Sequence, residues 1–341
     1  MTMHQTDVVE WSEADALDGW YVVARAHELS AKKPKRRWVN GMPIALYLEQ
    51  GEVRALVDRC PHRGAPLSQG RIRDGRIECP YHGWQFNGAG ELCAMPCLTD
   101  APPRVSAKTL KVSVKRGLVF VGIGETSERP YLNEGFSEVS FWRAVKGRVT
   151  APLPDALENF LDPTHTIFVH RQLVRSVKNN NRTTVEVTTN EHGLVASYFG
   201  EGQAGGVVSK IMNEKDRALS IGRFVTPNVA EVEFHGPKSV NFVMTGYMTP
   251  TRNGQVEGYG LVGLPGPRWW AWIKFWVLYP WIKLVHAQDK SILEAVADND
   301  AAFNSRRKRI GPLDVVRPFI DAFLRGKPPP PGQTRRTEMD L

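Results

Sequence analysis

Cys60-Pro61-His62-Arg63-Gly64-Ala65-Pro66-Leu67-Ser68-Gln69-Gly70, followed by Cys79-Pro80-Tyr81-His82-Gly83-Trp84-Gln85-Phe86, decides how the chain is read. A C-x-H pair precedes a C-x2-H pair across a gap of 16 residues. Thiolates and imidazoles together are ligands for zinc and for iron-sulfur clusters. Gly64, Gly70 and Gly83 permit tight turns beside them. All four cysteines of the 341-residue chain, Cys60, Cys79, Cys93 and Cys97, lie in this neighbourhood. That is too local for a disulfide framework and points instead to chemistry in a reducing compartment, the cytoplasm.

Outward from this stretch, short β-like runs are broken by turn signals. Val53 to Arg59, Arg76 to Tyr81, Trp84 to Asn87 and Val112 to Gly124 read as strands, with turns at Asp74-Gly75 and Asn87-Gly88-Ala89-Gly90. The reading is an all-β domain over residues 1–124, closed by the polar, turn-rich Glu125 to Pro130. Residues 125–341 read as a second domain, the whole chain being α+β: an antiparallel sheet covered by helices, helix-grip-like. Pro154 to His165 reads as a helix, Thr183 to Thr189 and Leu194 to Phe199 as a hairpin, and Leu284 to about Arg307 as a last helix striped by Ile292, Leu293, Val296, Ala297 and Phe303. Pro328 to Pro331 opens an extended tail.

Two cysteines on one iron and two histidines on the other describe a Rieske [2Fe-2S] centre, in which neutral ligands raise the reduction potential. Zinc uses the same residue types, though C-x-H is tighter than ordinary zinc spacing. The two segments, with flanking Arg63, Gly64, Gly83 and Trp84, resemble the Rieske domain of the Rieske non-heme iron oxygenases. That resemblance implies Cys60 and Cys79 on one iron and His62 and His82 on the other. The respiratory class of Rieske protein carries an extra cysteine in each loop; Ala65 and Tyr81 occupy those positions here. Cys93 and Cys97 read as two reduced thiols with no assigned role.

A second constellation follows in Glu158-Asn159-Phe160-Leu161-Asp162-Pro163-Thr164-His165-Thr166-Ile167-Phe168-Val169-His170. Two histidines and one carboxylate on one face of iron leave positions open, as in non-heme Fe(II) oxygenases. Five residues turn an ideal α-helix by about 500°, which leaves the two histidines roughly 140° apart. An irregular helix end near Pro163 is therefore expected to bring them together. The segment resembles the family's D-x2-H-x4-H motif. The match implies His165 and His170 as iron ligands and Asp162 as a carboxylate linking His165 to His82 across a subunit boundary. Asp289 is expected as the third ligand. It shares a helix face with Leu293, Val296 and Asp300, and an inward carboxylate is costly unless paired or bound to metal. Ala287-Gln288-Asp289-Lys290 also resembles the ligand segment of the demethylating and monooxygenating branch. Asp300 and Glu294 are the alternatives.

Composition narrows the rest. A hydrophobic fraction of 42% and a charged fraction of 23% suit a folded globular chain. The net charge of +8 comes partly from Lys32 to Arg37, Arg306 to Arg309, and Arg335 with Arg336. No nucleic-acid signature accompanies these runs, which read as solvated faces or as docking sites for an acidic redox partner. The N-terminus lacks a signal-peptide pattern. Trp269 to Val285 carries Lys274, Pro280 and Lys283, so it reads as a buried helix rather than a membrane span, with an interfacial helix lying on a bilayer as the minor alternative; membrane association is not expected.

The resemblance as a whole implies a terminal oxygenase. Electrons from NAD(P)H would arrive through a flavin reductase or ferredoxin, pass to the cluster, and reach a mononuclear Fe(II) that uses O2 on a small apolar or aromatic molecule. It also implies a head-to-tail homotrimer. Hydroxylation or oxidative demethylation is preferred over cis-dihydroxylation. A non-catalytic Rieske electron carrier is the reading from another class.

Overall fold

A computed structural model of the chain describes residues 17–171, 173–174, 181–201, 206, 208, 217–237, 239–304 and 308–341. The N-terminal segment to residue 16, and Arg306 with Arg307 of the second basic run, lie outside the described residues. The chain forms two compact units. One holds the described residues up to Val114, with Val119–Glu128 and Thr251–Asn253; the other holds Lys115–Leu118, Arg129–Pro250 and Gly254–Leu341.

The first unit is built on β1 (Gly19–Arg25), β2 (Lys35–Val39), β3 (Met42–Glu49), β4 (Glu52–Val57), β9 (Thr109–Lys115) and β10 (Leu118–Ile123), in the order β1-β10-β9-β4-β3-β2. A second sheet joins β5 (Arg71–Arg73), β6 (Arg76–Glu78), β7 (Gln85–Phe86) and β8 (Leu92–Ala94) in sequence order. Successive strand residues point to opposite faces, and β3 is buried on both. Ile44 and Leu46 enter one core with Tyr21, Val23 and Val121, whereas Ala45 and Tyr47 enter another with Leu67, Phe86, Cys60 and Cys79. The two cysteine-histidine loops are thus fastened to a packed core by their own cysteines.

Asp74 and Gly75 both take positive φ, 52° and 77°, and close β5 on β6. Val112 to Gly124, read as one run, is a hairpin: Arg116 (φ 48°) and Gly117 (φ 75°) separate β9 from β10. The basic run near Lys32 is also less solvated than expected. Lys35 and Arg37 pair with Glu28 at 3.2 and 2.7 Å, and Arg36 pairs with Asp58 at 2.7 Å.

The second unit is an eight-stranded antiparallel sheet. Its strands are β11 (Val139–Thr150), β12 (Arg182–Asn190), β13 (Gly193–Phe199), β14 (Leu219–Val225), β15 (Val229–His235), β16 (Val240–Pro250), β17 (Gln255–Pro265) and β18 (Thr334–Asp340). They lie in the order β11-β17-β16-β15-β14-β13-β12-β18. Helices α1 (Leu153–Leu161) and α3 (Arg317–Leu324) pack on Val185, Val187, Ala196, Tyr198 and Phe224. Buried Arg317 ties the two helices together, reaching Asp155 at 2.8 Å, Glu158 at 2.5 Å and Asp321 at 3.0 Å. The fold is α+β.

Two expectations are corrected here. The segment after Pro331 is not a free tail: β18 pairs with β12 from Arg182↔Asp340 to Thr188↔Thr334. The two helical readings near the C-terminus are one helix, α2 (Arg268–Ala302), which is 35 residues long and runs through Pro280. Its N-terminal half is not buried. Only Ala271, Phe275 and Leu278 are enclosed, packing on Phe141, Phe242, Val262 and Leu264. An apolar run reads the same in sequence whether protein covers one side of the helix or all of it.

Candidate metal centres

The two cysteine loops are built alike. In the first, the Cys60 N–H donates to Ala65 C=O at 2.8 Å and the Gly64 N–H to Cys60 C=O at 2.8 Å. In the second, the Cys79 N–H donates to Trp84 C=O at 2.8 Å and the Gly83 N–H to Cys79 C=O at 3.1 Å. Gly64 and Gly83 hold the same left-handed conformation, φ 71° and 70°. The six-residue turns CPHRGA and CPYHGW therefore superpose in hydrogen bonding and differ in where the histidine falls.

The histidines converge. The His62 and His82 ring centroids are 4.6 Å apart, and His62 stacks flat on Trp84 at 4.5 Å. A carboxylate backs each loop. Asp58 accepts from the Ser68 N–H at 2.7 Å and from its hydroxyl at 2.6 Å. Glu78 accepts from Arg71 at 2.6 Å and Gln85 at 3.0 Å. Cys60 and Cys79 are buried and free. Burial, then the adjacent Cys79 thiol, push the Cys60 thiol up to about 11. A thiol held this high stays protonated unless a nearby cation compensates the charge of its thiolate. Cys93 is half-buried and Cys97 exposed, and neither joins the loops.

In the second unit, α1 stops at Asp162, whose N–H donates to Glu158 C=O at 2.8 Å. Pro163 follows, and a 3-10 turn over Thr164–Ile167 carries His165. This irregular helix end meets the expectation from the H-x4-H spacing. Asp162 caps the turn, accepting from the Thr164 N–H at 2.8 Å and the His165 N–H at 3.2 Å.

His165, His170 and Asp289 come together, with one ligand atom from each inside a 4.8 Å span. Asp289 Oδ1 lies 2.9 Å from His170 Nε2 and 3.4 Å from His165 Nε2. Both contacts lack hydrogen-bond geometry, leaving that buried oxygen without a donor. Behind the rings, His165 Nδ1 faces Asp162 Oδ2 at 3.5 Å, and His170 Nδ1 meets Gln288 Oε1 at 2.8 Å. His170 therefore has Nδ1 hydrogen-bonded from behind, His165 has Nδ1 within ion-pair distance of Asp162 but without hydrogen-bond geometry, and both aim Nε2 at Asp289.

The electrostatics follow from this packing. Burial disfavours the charged forms, but the two imidazoles and Asn159 outweigh it and hold the Asp289 carboxyl far below the usual range. Burial likewise opposes protonation of His165, yet Asp162 and Asp289 prevail and raise it to about 9. A buried, donorless carboxylate oxygen facing two imidazole nitrogens fits a divalent metal.

The alternative carboxylates are engaged elsewhere: Glu294 accepts the Thr150 N–H at 3.1 Å, and Asp300 pairs with Lys308 at 2.6 Å. Gln288 and Asn159 stand inside quoted motifs but carry no motif signal of their own. Gln288 touches a residue 118 positions away, which spacing cannot reveal.

Comparison with known proteins places residues 19–111 in the Rieske [2Fe-2S] domain family. Protein TIC 55, chloroplastic, of Arabidopsis thaliana is 30% identical over 268 residues, covering 72% of this chain and 46% of that protein. Dicamba O-demethylase, oxygenase component, of Stenotrophomonas maltophilia is 34% identical over 165 residues, 45% of this chain and 47% of that one. The chain thus spans about half the length of the curated relatives it matches. The crystal structure of dicamba monooxygenase bound to 3,6-dichlorosalicylic acid has the same fold. Its TM-score is 0.75 at 21% identity, over 93% of this chain and 97% of that one.

Proposed function

Because the chain belongs to the Rieske-type oxygenase family, we propose that it is a terminal oxygenase that hydroxylates or oxidatively demethylates a small apolar or aromatic molecule. Cys60, Cys79, His62 and His82 would hold a [2Fe-2S] cluster, and His165, His170 and Asp289 a mononuclear Fe(II). The observation that carries the reading is the convergence of those last three side chains on a donorless carboxylate oxygen, in a chain that also carries the paired Rieske loops. When bound, the mononuclear iron would supply the site for O2 activation, with electrons entering through the cluster from a NAD(P)H-dependent reductase or ferredoxin.

The protein's own groups prepare that site. Gln288 Oε1 accepts a proton-bearing Nδ1 from His170 and leaves Nε2 as the lone-pair nitrogen. Asp162 places a carboxylate 3.5 Å from His165 Nδ1, a charge behind the ring that favours a proton on that nitrogen. Asp289 contributes the charge that offsets a divalent cation. His170 is almost wholly enclosed, which keeps water from its ring. Asp162 keeps 25% of its side chain exposed, which leaves the carboxylate available to a second partner. We assign that partner as His82 of a neighbouring copy in a head-to-tail trimer. Free Cys93 and Cys97 suit a reducing, cytoplasmic setting.

Metal analysis with O2-uptake assays tests the proposal. The reduced protein is screened against methoxylated, N-methylated and unsubstituted aromatics, with formaldehyde scored alongside. About three irons per chain and substrate-dependent O2 uptake are expected, since the cluster accounts for two. Two irons with no uptake on any substrate would leave an electron carrier instead.

A further inference from the structure

The N-terminal half of α2 carries large apolar residues on its exposed side as well as its packed side, and such a surface is covered by protein or in contact with lipid. Here it is not enclosed. Trp269, Trp270, Trp272 and Trp276 are 67%, 52%, 54% and 43% exposed. Together they present roughly 500 Å² of tryptophan surface, at the upper end of the largest apolar patch on a typical monomer. Ile273, Val277 and Leu284 extend the same face.

The angular arrangement is orderly. At about 100° per residue from Trp269, buried Ala271, Phe275 and Leu278 fall between about 180° and 240°. The exposed tryptophans, Ile273, Val277 and Leu284 sweep from about 300° round to 100°. Arg268 and Lys274 stand at the two margins of that arc, near 260° and 140°, and Lys283 lies at about 320°. No aspartate or glutamate occurs from Gly258 to Gln288.

We infer that this face of α2 is a docking surface for an anionic lipid bilayer, on which the helix lies in the plane of the membrane. Tryptophan rings flanked by cations are the composition of interfacial helices, in which the rings enter the headgroup boundary and the basic side chains reach lipid phosphates. The absence of carboxylates from this stretch of the chain matches a negative surface. Among the described residues no helix is long and apolar enough to cross a membrane, and Lys274 and Lys283 interrupt the run, so the helix rests on the bilayer. The same helix continues to Asp289, 13 residues beyond Trp276 (289 − 276), or about 20 Å along the axis. Resting here on the oxygenase reading, the substrate class is a molecule that partitions into lipid.

Vesicle co-sedimentation tests the surface without turnover, so its failure is separate from failure of the oxygenase reading. The metal-loaded protein is mixed with phosphatidylcholine vesicles with and without phosphatidylglycerol. Binding that requires the anionic lipid and weakens with salt is expected. Trp269→Ser, Trp272→Ser and Trp276→Ser combined should weaken it by about tenfold or more, with the cluster's visible absorption unchanged. Arg268→Glu with Lys283→Glu, which leaves the apolar face in place, should remove the preference for phosphatidylglycerol. No binding to either vesicle, or equal binding by the tryptophan variant, overturns the inference. So does a wild-type oligomer that ignores vesicles and dissociates on those tryptophan substitutions, which would make the face an interface between copies.

Discussion

Gln288→Leu isolates what the amide behind His170 does. The side chain is replaced by one of similar size that cannot accept a hydrogen bond, while Asp289, His165 and the packing of α2 are left in place. His170 is 1% exposed, and its Nδ1 has the 2.8 Å contact to Gln288 Oε1. Losing that acceptor leaves a buried N–H without a partner, at a cost of about 1–3 kcal/mol. The ring can escape by moving the proton to Nε2, which removes the lone pair from the metal-facing side. Either way metal binding is weakened by the same free energy, roughly tenfold to a hundredfold in affinity. The assay is competition of Fe(II) between the protein and a coloured chelator, with the cluster's visible absorption as an internal control. Gln288→Glu keeps an acceptor and adds charge, so it should hold iron at least as well as wild type. Equal affinity in the Leu variant and wild type would refute the role, and so would equal weakening in the Leu and Glu variants.

Two further expectations follow from the same geometry. Gly83→Ala forces a positive φ on a side chain whose Cβ would stand 2.7 Å from Pro96 Cγ, whereas Gly64→Ala meets nothing closer than 3.6 Å. The Gly64 variant should keep its cluster at a cost of about 1–2 kcal/mol, while the Gly83 variant should show clearly reduced cluster absorption; equal cluster content in the two would contradict this. Iron-free protein should lose stability with rising pH. His165 titrates near 9 when folded against an ordinary value of 6.5, so its contribution is complete below 6.5 and is lost as pH rises through about 9. That contribution is about 3 kcal/mol. Urea midpoints that stay level across that interval would rule it out.

How much of this was legible in sequence depends on distance along the chain. The cysteine loops were readable because every part of the device, the thiol, the imidazole and the glycine that turns the backbone, sits within six residues. His165 and His170 were readable once the helix was allowed to end, since Pro163 marks where it does. Asp289 was reachable from its place on an apolar stripe, because a carboxylate there needs an explanation. Gln288 was not: an exposed-looking amide beside a charged residue carries no pattern, and its partner lies in another element. Strand β18, Thr334–Asp340, was missed for a related reason. It is an edge strand with only Met339 enclosed, and its arginines and glutamate mask the alternation that would identify it.

Helix α2 shows a different limit. Hydrophobicity states that a surface will leave water, and it does not state what will cover it. Trp269 to Val285 satisfies the composition of a buried helix, and the fold supplies cover for only Ala271, Phe275 and Leu278. The tryptophans opposite those three are then an uncovered surface, whereas Tyr21, Phe86, Phe224 and Tyr259 are fully enclosed. A covered helix and a docking helix diverge in their charges. Burial has no use for cations beside an uncovered apolar arc, where Arg268 and Lys283 stand. A negatively charged boundary does.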